Sequence, residues 1–325
     1  METLRCYVTG GSGHLGANLV RGLLEAGHEV SCLVRNDVRA LDGLNVETVS
    51  GDLLSVEDMA GNMKGCDVVF HAAAFVAVEK SDTKMMEEIN VGGVRSMARA
   101  ALSKGVDKFI HVSSVHAFSQ RPTNEPLTES RPLVNSKKAA PYDRTKSAGQ
   151  REIQKVVEEG LDATILHPTG ILGPFDWKPS RMGKVLLDMH RGKMPIAINA
   201  GFNWVDVRDV SNTCISAVTK GRCGQNYLVP GHWESMKEIS TLCGRKPWFT
   251  APFWSAYLAL PFAAMKSTIT RKRPSFSRGS LHALAIQCKD IPGTLAREEL
   301  GHQNRPLSET VSDAIDWFRA QGKLR

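Results

Sequence analysis

The chain of 325 residues carries 41 Lys and Arg against 34 Asp and Glu, a formal net charge of +7 that suits anionic ligands. Its 42% hydrophobic content excludes a disordered chain, and the basic residues are spread too widely to predict nucleic-acid binding. Seven scattered cysteines exclude a disulfide framework and predict no metal site. A strand that begins by residue 5 leaves no room for a signal peptide. We therefore expect a cytoplasmic protein.

The first predicted element is a strand that turns through glycines into a helix. The apolar run at 6–8 precedes Gly10, Gly13 and Gly16, and a second apolar strand at 30–34 completes a βαβ unit. Such a turn presents free N–H groups and the positive end of a helix dipole to a pyrophosphate. An ordinary turn is the alternative, since this glycine spacing is common. We predict a dinucleotide site made by Thr9, Gly10, Gly13, His14, Leu15 and Gly16.

The second strand ends without the acidic residue that NAD-binding proteins commonly place there. It runs into Arg35, with Arg39 one helical turn later. An acid at this place binds the ribose 2′-hydroxyl and repels a 2′-phosphate, whereas a guanidinium binds a phosphate through two parallel hydrogen bonds. We therefore predict NADP(H) in preference to NAD(H), with Arg35 as the main contact. Asp37 keeps NAD(H) possible, and a solvated arginine is the alternative.

Strand and helix signals alternate through the first half of the chain. The apolar runs at 46–49, 68–71, 108–113 and 163–166 are separated by helical stretches, which predicts a doubly wound parallel α/β sheet covered on both faces. Ligands of such sheets bind beyond the carboxyl ends of the strands. Small or polar residues follow these ends, and we predict that they contact the cofactor: Asp52, Leu53, Ala72, Ala73, Ala74, Pro168, Thr169 and Gly170.

Tyr142 is the only one of the four tyrosines with a lysine four residues later, in a segment predicted to be helical up to residue 159. Residues at this spacing share a helix face, so we expect Lys146 to lower the pKa of the Tyr142 phenol and to contact the nicotinamide ribose. The phenol would then donate a proton to a carbonyl whose oxygen Ser114 holds. A surface pair is the alternative. His116 is a candidate substrate contact, with an ordinary loop histidine as its alternative.

After Gly170 the pattern becomes irregular, which predicts a smaller substrate-binding lobe at 171–325. The nucleotide-binding domain would comprise residues 1–170 and segments that return to it at about 205–230. Phe202 and Trp204 are candidate contacts with an apolar or ring-bearing substrate, and core packing is the alternative.

The segment at 247–265 has no charged residue and is rich in aromatics. Its three prolines argue against a membrane-spanning helix, so we expect it to pack over the substrate pocket, with peripheral membrane association as the alternative. The basic cluster at 271–273, within a basic stretch at 266–278, lacks interleaved aromatics and does not predict nucleic-acid binding.

Taken together, the motifs resemble the extended short-chain dehydrogenase/reductase family of the NAD-dependent epimerase/dehydratase superfamily. The resemblance implies a Rossmann domain with a variable C-terminal lobe, catalytic roles for Ser114, Tyr142 and Lys146, and homodimerisation. The segments that carry it span nearly the whole chain and are those at 9–16, 51–53, 71–74, 90–93, 112–114, 142–146, 168–170, 204–210, 299–301 and 314–318.

Two sets of segments resemble different subgroups of that family. Those at 33–35 and 170–175 are similar to dihydroflavonol-4-reductase-like enzymes, which reduce carbonyls with NADPH, and those at 173–180 and 192–195 to hopanoid-associated sugar epimerases. Arg35 favours the reductase. The sequence therefore predicts an NADPH-dependent carbonyl reductase or alcohol dehydrogenase, with hydride transfer and Tyr142 as proton donor. The alternatives are an NDP-sugar epimerase that retains its nicotinamide cofactor and a non-catalytic NADP-binding sensor.

Overall fold

The computed structural model describes residues 2–35, 37–77, 80–261, 265 and 277–324. The basic cluster at 271–273 and nearly all of the basic stretch around it lie outside the described residues. The strands are β1 (Arg5–Thr9), β2 (Glu29–Leu33), β3 (Glu47–Val49), β4 (Val68–His71), β5 (Lys108–Val112), β6 (Ala163–Pro168), β7 (Gly170–Leu172), β8 (Ile196–Ile198), β9 (Gly201–Asp206), β10 (Asn226–Val229), β11 (His232–Ser235) and β12 (Phe249–Ala251).

Seven of these strands form one parallel sheet in the order β3-β2-β1-β4-β5-β6-β10. The predicted doubly wound parallel sheet is confirmed, with the strand order of a Rossmann fold. The order reverses between β1 and β4, and ligands of such sheets bind beyond the strand ends at that point. Strand β10 comes from the second half of the chain, so the sheet is completed only after the chain has left it and returned.

Helices cover both faces of this sheet, as the apolar strands require. On one face α1 and α7 bury Cys6 and Val8 of β1, and on the other α2, α4 and α5 bury Tyr7. The helices are α1 (His14–Glu25), α2 (Val56–Asn62), α3 (Thr83–Glu87), α4 (Val94–Lys104), α5 (Pro141–Glu158), α6 (Arg181–His190), α7 (Val207–Lys220), α8 (Met236–Leu242), α9 (Ser255–Leu258), α10 (Arg278–Ala285), α11 (Thr294–Leu300) and α12 (Leu307–Ala320).

The smaller lobe has a core of its own. Strands β7, β9 and β11 form a mixed sheet and β8 pairs with β12, while α6, α8 and α12 pack against them. Trp204 lies in this core with 1% of its surface exposed, and its indole N–H donates to the carbonyl of Glu234 at 3.2 Å. Phe202 is half-buried and packs edge-on against it. The prediction that Trp204 contacts the substrate is therefore wrong, because this side chain packs in the core of the smaller lobe.

The two tryptophans of the aromatic segment do not pack inward as expected. Trp248 is 81% exposed and Trp254 is 65% exposed, so neither covers a pocket. In the part of the chain that the structure describes, no helix has the length and apolar character needed to cross a bilayer.

Candidate active site

The glycine turn between β1 and α1 leaves space that side chains would fill. Gly10 has a φ of +76°, and a Cβ there would lie 2.8 Å from the backbone nitrogen of Ala73. A Cβ on Gly16 would lie 2.0 Å from the carbonyl oxygen of Gly10. No side chain caps the first turn of α1, which begins after Gly13, so its N–H groups remain able to donate to a phosphate. These features fit the diphosphate of a dinucleotide.

Two side chains beside this turn bond within the protein instead. The ring nitrogen Nε2 of His14 lies 3.2 Å from the carbonyl oxygens of both Gly173 and Pro174, so it ties the turn to the second lobe. Thr9 Oγ1 lies 2.7 Å from His71 Nδ1. Thr9 and His14 can therefore offer the predicted cofactor contacts through their backbones, while Leu15 is buried in the core.

Two cations pair with one carboxylate just after the end of β2. Asp37 accepts two hydrogen bonds from the Arg39 guanidinium, and Lys178 Nζ of the second lobe lies 3.1 Å from Asp37 Oδ2. These partners hold the pKa of the Asp37 carboxyl far below its usual range, hydrogen bonding by Arg39 having the largest effect. Arg35 is exposed and makes no ion pair or side-chain hydrogen bond with any described residue, so it is free to bind an added anion.

The residues that follow β4 lie against the glycine turn, since a Cβ on Gly10 would meet the backbone of Ala72 and Ala73. Ala72, Ala73 and Ala74 follow β4, and Asn90 fixes the loop after them by exchanging hydrogen bonds with Phe75 at 2.8 and 3.0 Å. The other predicted cofactor contacts lie after β3 and at the junction of β6 and β7. Asp52 is exposed and accepts a hydrogen bond from the Leu54 N–H, and Leu53 is half-buried. Pro168 ends β6 and Gly170 begins β7. Between them, Thr169 has a buried hydroxyl that no described group bonds.

Ser114, Tyr142 and Lys146 meet where β5 ends against the start of α5. Pro141 opens α5, a position that suits proline because its missing N–H would have no partner in the first turn. Tyr142 and Lys146 share one helix face, and the Ser114 hydroxyl hydrogen-bonds with the Tyr142 phenol. Lys146 is buried, and its ammonium donates to the Val112 carbonyl at 3.2 Å. The arrangement can hold a carbonyl oxygen and protonate it.

The expected acidification of Tyr142 is wrong for this geometry. Burial raises the pKa of the phenol to about 12, the Ser114 hydrogen bond lowers it and the nearby Asp143 charge raises it further. Burial also lowers the pKa of Lys146 to about 8. The ammonium donates to a backbone carbonyl rather than to the phenol, so loss of hydration determines both shifts. The phenol therefore stays protonated, which is the form that a proton donor needs.

Asn90 is a positioning residue that the sequence reasoning left out of the site. Its amide donates to Thr145 Oγ1 at 3.3 Å on α5, between the two catalytic candidates of that helix. It belongs to a π-helical turn, Glu88–Gly93, whose carbonyl at Asn90 lies so near α5 that a Cβ on Gly149 would be 2.2 Å from it. The motif at 90–93 that carried the family resemblance was the available signal.

His116 stands beside the phenol, in contact with two further residues. Its ring centroid lies 5.7 Å from that of Tyr142, and its Nδ1 lies 3.0 Å from the buried Asp143 carboxylate. Its Nε2 lies 3.3 Å from the side-chain nitrogen of Gln287, which the second lobe contributes. The structure therefore places His116 at the site, and Gln287 reaches it from 171 residues away along the chain, too far for sequence spacing to indicate.

Three buried histidines lie beneath the site on neighbouring strands. His71 and His111 stack with ring centroids 5.4 Å apart, and His167 lies 3.0 Å from the Ser114 carbonyl. Burial lowers the pKa of His71 to about 3 and that of His167 to about 4, and it lowers the pKa of His111 strongly. All three are therefore neutral near pH 7.

We expect this histidine layer to make the fold sensitive to acid. Unfolded histidine, with a pKa near 6.5, binds a proton as the pH falls below that value, whereas His71 stays neutral down to about 3. The unfolded state gains about 2 kcal/mol per such histidine by pH 5. Between pH 7 and pH 5, the unfolding free energy of the wild type should therefore fall by about 2 kcal/mol more than that of His71→Gln. Urea titrations at the two pH values measure this difference.

The matched control for this titration is His282→Gln, which removes an exposed histidine of α10. It should lose as much unfolding free energy on acidification as the wild type. Equal acid sensitivity of the His71 variant and the wild type would contradict the prediction.

Comparison with known proteins places these features in a family. A model of the NAD dependent epimerase/dehydratase family matches residues 6–229. Sterol demethylase protein B of Methylococcus capsulatus is 33% identical over 98% of this chain and 99% of its own. A Synechocystis sp. protein provisionally named dihydroflavonol 4-reductase is 30% identical over 98% of this chain and 96% of its own. The crystal structure of gox2253 has a TM-score of 0.85 and 31% identity over 98% of this chain and 99% of that one.

Proposed function

Since the chain belongs to the NAD dependent epimerase/dehydratase family, we propose that it is an NADPH-dependent carbonyl reductase, or an alcohol dehydrogenase in the reverse direction. The observation that carries the proposal is the contact between the Ser114 hydroxyl and a Tyr142 phenol whose pKa is raised. A protonated phenol beside a second hydroxyl suits the reduction of a ketone, because the new alkoxide must receive a proton as it forms.

The reaction assigns a separate task to each of the three side chains. Ser114 donates a hydrogen bond to the carbonyl oxygen and orients it towards Tyr142. The phenol donates its proton to that oxygen, and the Lys146 ammonium stabilises the phenolate that remains. A bound nicotinamide dinucleotide supplies the reducing equivalents. The glycine turn would hold its diphosphate, and Lys146 is placed to contact its ribose.

NADPH is the proposed form of the cofactor, and the exposed guanidinium of Arg35, which pairs with no described residue, supports it. Asp37, the one acid at this strand end, is already neutralised by Arg39 and Lys178, which reduces its repulsion of a 2′-phosphate. Those two cations add to the positive field at the same place.

Replacement of Arg35 by Asp should therefore weaken NADPH binding and leave NADH binding nearly unchanged. A charge-assisted contact with a phosphate contributes ~1.5–3 kcal/mol, so we expect the Kd for NADPH to rise about 10- to 100-fold. Titration of both dinucleotides by fluorescence measures this change. Arg297→Asp, an exposed site on α11, is the matched control. Unchanged NADPH affinity in the Arg35 variant would refute the assignment.

The proposed substrate is an apolar ketone built on rings. The two relatives described above are named for sterol demethylation and for dihydroflavonol reduction. Gln287 of the second lobe contacts His116 beside the Tyr142 phenol, and the half-buried Phe202 packs against the core of the same lobe.

A panel of ketones decides between reduction and the other activities. The purified enzyme, incubated with NADPH and steroid ketones, acyclic ketones or UDP-glucose, should consume NADPH in proportion to the ring ketone reduced. Conversion of UDP-glucose to an epimer without net NADPH consumption would replace the proposal by a sugar epimerase. NADPH binding without turnover of any compound would favour a sensor.

A further inference from the structure

The second lobe presents an apolar surface that the proposed chemistry does not use. Trp248 is 81% exposed, Trp254 and Leu258 are 65% exposed, and Phe249 is 56% exposed. Phe249 pairs with Ile196 across β12 and β8, and paired residues direct their side chains to the same face of a sheet. We call these five residues the aromatic surface. Large exposed apolar surfaces usually mark a binding site.

The segment of sequence that carries four of these five residues has charge of one sign. The 51 residues from Ile239 to Lys289 include eight Lys and Arg and no Asp or Glu, although at the average composition of the chain about five acids would be present. Arg245 and Lys246, both exposed, immediately precede the surface. A partner that matches it must therefore combine negative charge with an apolar interior.

An anionic lipid bilayer has both properties. Trp side chains favour the boundary between headgroups and acyl chains, and each Lys or Arg near an anionic leaflet contributes about 1 kcal/mol. A second copy of this chain fits less well, because the two basic surfaces would repel each other. Because no described helix is suited to crossing a bilayer, the contact would be peripheral.

The surface is also joined to the active site. Helix α9, which carries Leu258, packs against α10, and the chain after α10 places Gln287 next to His116. The surface and the catalytic phenol are thus connected by one helix. We propose that the aromatic surface docks the protein peripherally on bilayers that contain anionic phospholipid. The proposal goes beyond the reductase assignment and does not depend on it.

Vesicle sedimentation tests the docking. The full chain, at low salt, should sediment with vesicles of phosphatidylcholine and about 30% phosphatidylglycerol. It should bind at least about 10-fold more weakly to pure phosphatidylcholine, or with about 0.5 M salt present. The double variant Trp248→Ser/Trp254→Ser should bind the anionic vesicles at least about 10-fold more weakly, because two large apolar side chains no longer enter the lipid. Met85→Ser, which removes a 51% exposed side chain of α3, is the matched control.

Two sedimentation results would overturn the docking. One is failure of the wild type to sediment with anionic vesicles, and the other is binding by the double variant that equals binding by the wild type. Dissociation of a wild-type dimer by the double variant, without lipid binding, would assign the surface to a second copy. A cooperative urea-unfolding transition like that of the wild type verifies that the double variant is folded. If it is not, lipids with brominated acyl chains should quench the tryptophan fluorescence of the wild type, and absence of quenching would overturn the proposal.

Discussion

Tyr142→Phe is expected to lower kcat for ketone reduction by about 10²- to 10⁴-fold, the range that positioned proton donors contribute. The variant keeps the ring and its packing against His116, and it removes only the hydroxyl that bonds Ser114. NADPH affinity should stay within about 3-fold of the wild type, because the diphosphate and 2′-phosphate contacts lie elsewhere. Steady-state kinetics with a turned-over ketone, combined with NADPH titration, measures both quantities.

Tyr257→Phe is the matched control, since it removes the hydroxyl of a 38% exposed tyrosine on α9. It should retain wild-type kcat. A Tyr142→Phe enzyme that reduces the ketone at the full rate would remove the basis of the reductase proposal.

The raised pKa of this phenol gives the reaction a defined pH dependence. With its pKa at about 12, Tyr142 remains a proton donor throughout the working range. Lys146, with its pKa lowered to about 8, loses its proton above that pH. We therefore expect kcat/KM for NADPH, which reports groups of the free enzyme, to fall above about pH 8 as the ammonium becomes neutral. A Lys146→Arg enzyme, which stays charged, should lose this decline.

The sequence predicted the sheet and the meeting of the three candidate catalytic side chains because local patterns determine both. Alternating apolar strands and helices give a parallel sheet, and a parallel sheet brings the ends of β5 and β6 to one edge. The i, i+4 spacing then places Tyr142 and Lys146 on one face. The motifs also identified the family correctly.

Other features depend on packing that spacing does not encode. The pKa of Tyr142 is raised and not lowered because the phenol is buried and because Lys146 donates to the Val112 carbonyl. Trp204 carried the same aromatic signal as a ligand contact, yet β9 directs it into the core. His14 belongs to the glycine motif, but its ring binds carbonyls of a loop that begins about 160 residues later. Contacts of such long separation could not be read from the chain.

Gly16→Ala is expected to abolish tight dinucleotide binding. The added Cβ would lie 2.0 Å from the Gly10 carbonyl oxygen and 2.7 Å from the carbonyl carbon, and neither backbone atom can move without displacing the turn. Displacement misaligns the N–H groups at the start of α1, each worth ~1.5–3 kcal/mol towards a charged phosphate. We expect the Kd for NADPH to rise at least about 100-fold, which isothermal titration calorimetry measures directly.

Gly61→Ala separates this effect from a general response to a methyl group. Gly61 lies exposed in α2 with no atom within 4 Å of an added Cβ, so the substitution should leave NADPH affinity unchanged. It should raise the unfolding free energy by ~0.5–1 kcal/mol, because alanine loses less backbone entropy than glycine in a helix. NADPH affinity that survives in Gly16→Ala would mean that the diphosphate binds away from the turn. In that case one dinucleotide bound across the turn could no longer contact both Arg35 and Tyr142, which lie on opposite sides of it.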